Sequence, residues 1–142
     1  MTRRTLDSDY ARNKETIKLA ASEIWSKGNL DLIPKIFAEN YVGHFPGDTI
    51  SGLMALSAFV ESHRASFPDW NEEVLEIIIE GDSVATRYRS RGTHLGPFQG
   101  IPATEKEIEI LEASIIHMEK GLIAEQWAFP DILSLQQQLS NE

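Results

Sequence analysis

The sequence predicts an α+β fold in which helices come first and a curved antiparallel sheet, covered by those helices, follows. Apolar residues recur at helical spacing through the first half of the chain, and from Trp70 the period changes to two and holds as far as Phe129. In addition, 142 residues, 42% of them hydrophobic and with no Pro/Gly/Ser-rich linker, suit one domain spanning residues 1–142.

The elements follow in order. Tyr10, Ile17, Ala20, Ala21 and Ile24 predict an amphipathic helix over 9–27, stopped by Gly28. Leu30, Ile33, Ile36 and Phe37 predict a short second helix over 30–38, with Pro34 near its start, where proline is tolerated. YVGHFPG reads as a brief strand and turn, and Ser51 as a cap for a third helix that carries Leu53, Leu56, Phe59 and Val60 and stops at Pro68. EEVLEIIIE and SVATRYRSRGTHLG flank Gly81-Asp82 as a hairpin. EIEILEASIIHMEKGLIAEQWAF forms a second hairpin, turning at Glu119-Lys120-Gly121. The tail, 132–139, is a short helix or a docked extension. A bent sheet under helices encloses a pocket with apolar walls, suited to a small hydrophobic ligand.

Composition narrows the function. A formal charge of −9 argues against nucleic acid and anionic membrane as partners. No apolar run approaches the roughly 18 residues of a membrane span, and MTRRTLDSDYARNKE has no secretory apolar segment, so a cytoplasmic protein is expected. There is no cysteine, the four histidines lack ligand spacing, and neither a GxGxxG after a strand nor a P-loop occurs. No metal and no cofactor are therefore expected.

Phe67-Pro68-Asp69, GTHLGPFQGIPAT and GLIAEQWAFPD, followed by Gln138-Leu139, occur in an order and spacing that resemble the SnoaL-like polyketide cyclases of the nuclear transport factor 2-like superfamily, from about Tyr10 to Leu139. The resemblance implies a cone-shaped barrel of strongly curved antiparallel or mixed sheet, packed by three N-terminal helices around an apolar pocket, and a homodimer formed through the sheet. It implies a cofactor-independent enzyme that closes a ring of a hydrophobic, carbonyl-containing substrate by intramolecular aldol condensation. The family's acid/base falls on Asp131, four residues after Trp127, and an assisting histidine falls on His117; His44 falls at the pocket mouth. Where the family's loop usually reads PPTGK, this chain has Pro102-Ala-Thr-Glu-Lys106.

The residues supply a rationale. Burial beside Trp127, Phe129 and Pro130 would disfavour the ionised form of Asp131 and raise its pKa toward the range of a useful base. His117 or His44 would then hydrogen-bond the developing oxyanion. Trp127, Phe129, Trp25, Phe59 and His94 are the expected substrate contacts. The competing assignments are a helix cap for Asp131, a loop hydrogen bond for His94 and a structural role for His63. Arg87, Arg89 and Arg91 read as one solvated strand face paired with glutamates. On the same scaffold, a non-catalytic small-molecule carrier and an isomerase or hydrolase are the alternatives to a cyclase.

Overall fold

A computed structural model describes residues 3–140, with side chains from residue 9 onward; the outermost residues of the expected 1–142 domain lie outside the described residues. Helix α1 (Arg3–Leu19) runs into a π-helical turn, Ala20–Trp25, and buries Ile17, Ala20, Ala21 and Ile24. The chain leaves this helix through Gly28 at φ 70°, a left-handed conformation that glycine adopts without strain. Arg64 from the third helix lies against that exit, donating from Nη1 to the carbonyls of Trp25 (2.8 Å) and Ser26 (3.0 Å).

The second helix is shorter than its apolar spacing predicts. A 3-10 turn, Leu30–Leu32, leads into α2 (Ile33–Ile36), and Phe37 and Ala38 already belong to strand β1 (Phe37–Phe45). Phe37 pairs in parallel with Ile123 near the other end of the chain, a tertiary partner that overrides the local helical pattern. The expected brief strand is thus nine residues long, and it turns back at Pro46-Gly47 into β2 (Asp48–Ser51). Ser51 therefore ends a strand and does not cap a helix; Gly52, at φ 87°, leads into α3 (Leu53–Ser66) with no side-chain cap.

The two long hairpins form as expected. They comprise β3 (Asn71–Glu80) with β4 (Ser83–Thr93) and β5 (Glu107–Glu119) with β6 (Leu122–Pro130). The sheet order is β2-β1-β6-β5-β4-β3, antiparallel except for the β1–β6 pair. The sheet curves around the helices without closing, so the expected cone is a wrapped open sheet rather than a complete barrel. Register shifts in three pairs help it bend, because an extra residue on one strand increases local twist. The shift in β3 falls at Leu75: Glu72 and Val74 before it, and Ile77 and Ile79 after it, all point toward the helices. Arg87, Arg89 and Arg91 lie on the opposite, solvated face, paired with Glu76, Glu73 and Glu109.

Two apolar clusters fill the space between sheet and helices. One joins Ile17, Ile24, Phe37, Leu56 and Val60 to Val84, Ile116 and Ile123 of the sheet. The other joins Phe67, Trp70, Ile108 and Ile110 to Leu135 and Leu139 of the last helix, α4 (Ile132–Ser140). Among the described residues no helix is long and apolar enough to cross a membrane.

The start of α4 is set by Asp131. Its Oδ1 accepts from the backbone N–H of Ser134 at 3.0 Å, and its carbonyl accepts the first helical bond, from Leu135. That is N-cap geometry, in which a carboxylate satisfies an otherwise orphaned amide. Asp131→Ala should therefore lower unfolding stability by about 1 kcal/mol, seen as a lower urea midpoint, whereas Asp131→Asn, which still caps, should stay near the wild-type value.

Candidate functional site

The two apolar clusters leave a cavity of about 280 Å³ between them. Trp25, which packs against both clusters, forms one wall with Phe45 and Phe59; Trp70, Phe98, Ile110 and Leu135 form the opposite side. The rings are set at steep angles, Trp25 edge-on to Phe59 at 6.0 Å and Phe45 tilted 47° to Phe59 at 4.6 Å. Cavities of roughly 150 Å³ hold one benzene ring, so this one suits a body of about two rings. The turn Phe98–Ile101 borders the cavity; its two backbone bonds, 3.0 and 2.8 Å, close around Gln99 and Gly100, both at positive φ.

Besides exposed Asp48 on β2, two carboxyls line this apolar space from the inner face of the sheet. Glu112 stands on β5 in register with Tyr88, and Glu72 stands on β3 one pair away, opposite Ser90. Burial pushes the Glu112 carboxyl up to about 7. Burial, then the nearby charge of Glu112, raises Glu72 well above the usual carboxylate range. One of its oxygens, Oε2, is buried without a hydrogen-bond partner among the described residues. Both carboxyls thus favour the protonated form far more than a solvated glutamate does, and Glu112 is poised to ionise near neutrality.

Polar neighbours support the pair. The Tyr41 hydroxyl donates to Gln126 Oε1 at 3.1 Å, and Gln126 Nε2 donates to Ser114 Oγ at 3.2 Å. This chain orients the Gln126 amide at the cavity wall with one N–H to spare. Gly43 makes room for it, because a Cβ there would collide with the Tyr41 hydroxyl. Burial raises both Tyr41 and Tyr88 above the ordinary tyrosine range, Glu112 adding to the first and Glu72 to the second. His63, from α3, sits edge-on to Trp70 at 4.2 Å; burial first, and then Arg64, lower it to about 4, so it is neutral at pH 7.

The expected site residues are not brought together. Asp131 is exposed and caps α4; it does not line the cavity, and the apolar burial expected to tune it is absent. His44 and His117 lie with Trp127 on the outer face of the sheet, because His44 and Ile115 are register partners of Trp127, and His117 pairs with Glu125. There His44 stacks on Trp127 at 5.0–5.1 Å centroid spacing, as does His117 edge-on, and His44 Nε2 shares a 2.7 Å hydrogen bond with Glu125. Phe129 is on that face too, 60% exposed, so neither Trp127 nor Phe129 contacts the cavity. Trp25 and Phe59 do line it, as expected. His94 is fully buried behind the wall, hydrogen-bonded through Nδ1 to Thr104 Oγ1 at 2.9 Å and tilted on Phe67, the loop-holding role rather than a substrate contact. His63, read as structural, lines the cavity. Among the described residues no cluster of three or more His, Cys, Asp or Glu side chains could hold a metal ion.

Glu112 was within reach of the sequence. Ile108, Ile110, Ser114, Ile116 and Met118 share its parity on β5 and are buried, so an acid in that row must face the core. Glu72 was not. Strict alternation back from Ile79 and Ile77 puts Leu75 and Glu73 inside, and only the bulge at Leu75 turns Glu72 inward.

Comparison with known proteins agrees with this architecture. Residues 15–139 match the SnoaL-like polyketide cyclase family. No curated protein matches the sequence. A solved structure from Jannaschia sp. CCS1, assigned as a SnoaL-like polyketide cyclase, superposes with a TM-score of 0.86 at 23% identity, covering 93% of this chain and 94% of that one, a likeness of fold. An assigned polyketide cyclase from Acidithiobacillus ferrooxidans is 28% identical over 90% of this chain and 94% of its own, with a TM-score of 0.83. IdmH of Streptomyces antibioticus, also assigned as a polyketide cyclase, is 28% identical over 91% of this chain and 99% of its own, with a TM-score of 0.79. With the family match running through all but the first helical turns and the last residues, the chain belongs to the SnoaL-like polyketide cyclase family.

Proposed function

We propose that the protein is a cofactor-independent acid/base enzyme that closes a ring of a polyketide-like carbonyl compound by intramolecular aldol condensation, with Glu112 as base and Glu72 as acid. The observation that carries the proton-transfer chemistry is the carboxyl pair in the apolar cavity, Glu112 pushed up to about 7 and Glu72 raised well above the usual carboxylate range. Family membership supports ring closure as its use.

The steps follow from the geometry. Ionised Glu112 removes a proton from a methylene activated by adjacent carbonyls. The enolate carbon attacks a second carbonyl of the same molecule, folded by the aromatic walls so that the reacting carbons meet; a C–C bond forms and the C=O π-electrons move to oxygen. The spare N–H of Gln126 hydrogen-bonds that oxygen as charge develops, and Glu72 delivers its proton to the alkoxide. Glu112 is left protonated and Glu72 ionised, and transfer of one proton between them restores the starting state.

The assignment is testable before the natural substrate is identified, using a two-ring ketone. Incorporation of solvent deuterium into the C1 methylene of 2-tetralone, followed by mass spectrometry, should fall by a hundredfold or more in Glu112→Gln and be unchanged in Asp131→Asn. Equal exchange by wild type and Glu112→Gln would reject Glu112 as the base.

The pair also leaves a signature in stability. Below about pH 4.5 Glu112 is protonated in both folded and unfolded chains. Between there and about 7 the folded protein keeps a proton that the unfolded chain releases, so stability falls as pH rises through this window. Denaturant titrations from pH 4.5 to 8 should show that decline, and Glu112→Gln should flatten it, gaining up to about 3 kcal/mol over wild type at pH 8.

A homodimer through the outer sheet face is part of the same proposal. Leu111, Ile115, Phe129 and Ile78 are 51%, 42%, 60% and 58% exposed there, beside half-buried Trp127. An apolar face of this kind, flanked by Arg–Glu rows of both signs, suits a second copy of itself. Light scattering should find dimers in the wild type and monomers in Phe129→Glu.

A further inference from the structure

We propose that the cavity recognises its substrate through a cationic nitrogen, a protonated or quaternary amine carried on a body of about two rings. The inference rests on reading this cavity as the reaction site, and it concerns what binds rather than what reacts.

Three observations point the same way. First, among the described residues the lining carries Asp48, Glu72 and Glu112 but no lysine or arginine. Arg64 is turned into the wall, where its Nη1 and Nη2 donate to the carbonyls of Trp25, Ser26, Pro68 and Trp70. An anionic substrate would meet uncompensated carboxylates in a low-dielectric space, a costly arrangement. Second, Glu72 lines the cavity, and its Oε2 is buried with no hydrogen-bond partner among the described residues, so the carboxyl carries an unsatisfied oxygen there. Third, Trp25, Phe45 and Phe59 stand at 47–86° to one another with centroids 4.6–6.2 Å apart. Rings inclined in this way present more than one π face or edge to a shared corner, and a desolvated cation is attracted to such faces.

Ligand charge and protonation are then coupled. Among the described residues the titratable groups lining the cavity are Asp48 on β2, His63 on α3, Glu72 on β3 and Glu112 on β5, with Tyr41 on β1 bonded to Gln126 and Tyr88 on β4 in register with Glu112; β6 and α4 contribute Gln126, Pro130, Ile132 and Leu135. His63 is neutral at pH 7, so the carboxyls dominate. A cation favours their ionised forms, and its binding releases protons to solvent as pH falls toward 7.

Three ligands sharing one two-ring body test this: 2-aminotetralin as the cation, 2-tetralone as the neutral ketone and tetrahydro-2-naphthoate as the anion. Binding is read by quenching of tryptophan fluorescence, since Trp25 and Trp70 line the cavity. At pH 8 the amine should bind at least tenfold more tightly than the ketone, the anion should bind most weakly, and the amine's affinity should fall as pH drops through 7. The preference should disappear in Glu112→Gln and shrink in Glu72→Gln, each checked for folding by its thermal unfolding. Equal affinities, a preference for the ketone or the anion, or no binding of the amine would overturn the proposal. So would an amine preference that survives both variants, because it would reflect diffuse attraction to the acidic surface. Deuterium exchange into 2-tetralone is measured separately, so amine selectivity without exchange would sink the catalytic reading alone, and exchange without selectivity would sink only this one.

Discussion

Two carboxyl groups kept out of water on the inner face of a bent sheet are the constraint around which the rest of the molecule is arranged. Transferring an ionised carboxylate from water into an apolar space is expensive, and a folded chain usually avoids it by pairing the charge with a cation. Here no lysine or arginine among the described residues lines the cavity, and relief comes through a raised pKa instead, Glu72 well above the usual carboxylate range and Glu112 up to about 7. Such an arrangement lowers stability near neutrality, and structures retain such groups where chemistry needs them.

The fold sustains this by dividing its core. One cluster ties the N-terminal helices to the middle of the sheet, the other ties α4 and Trp70 to its far end, and the cavity remains where the two do not meet. Trp25 belongs to the boundary of both, and Arg64 secures that boundary from behind by gathering carbonyls from the end of the first helix and from the segment before β3. Asp131 has its place in the same scheme as a structural residue: by starting α4 it brings Leu135 over the cavity and Leu139 into the second cluster. The aromatic approach to Asp131 that drew attention in the sequence belongs to the opposite face, where Trp127 packs with His44 and His117.

Family membership and site chemistry therefore come from different parts of the chain. The match runs over residues 15–139 and reflects the order of helices, hairpins and connecting loops. The carboxyl pair sits on β3 and β5, outside the segments whose wording most resembles the family, namely 67–69, 92–104 and 121–131. Asp131, on which the family's acid/base falls, is an exposed helix cap after β6, whereas the registers of the sheet set Glu112 two strands from Glu72 at the cavity.

By itself the sequence determined the α+β order, the two long hairpins with their turns, the third helix and the solvated arginine row, because each depends on periodicity and turn chemistry within a few residues. It also contained Glu112's parity among Ile108, Ile110 and Ile116, a local signal that identifies an inward-facing acid. Tertiary structure alone decided the length of β1, whose parallel partner is β6, and the orientation of Glu72, which depends on one extra residue at Leu75. It alone decided which face of β6 the helices cover, and so put Gln126 at the cavity and Trp127 outside. Alternation divides a strand's residues into two sets, but only the packing of distant helices selects which set is dry, and a single bulge exchanges the sets.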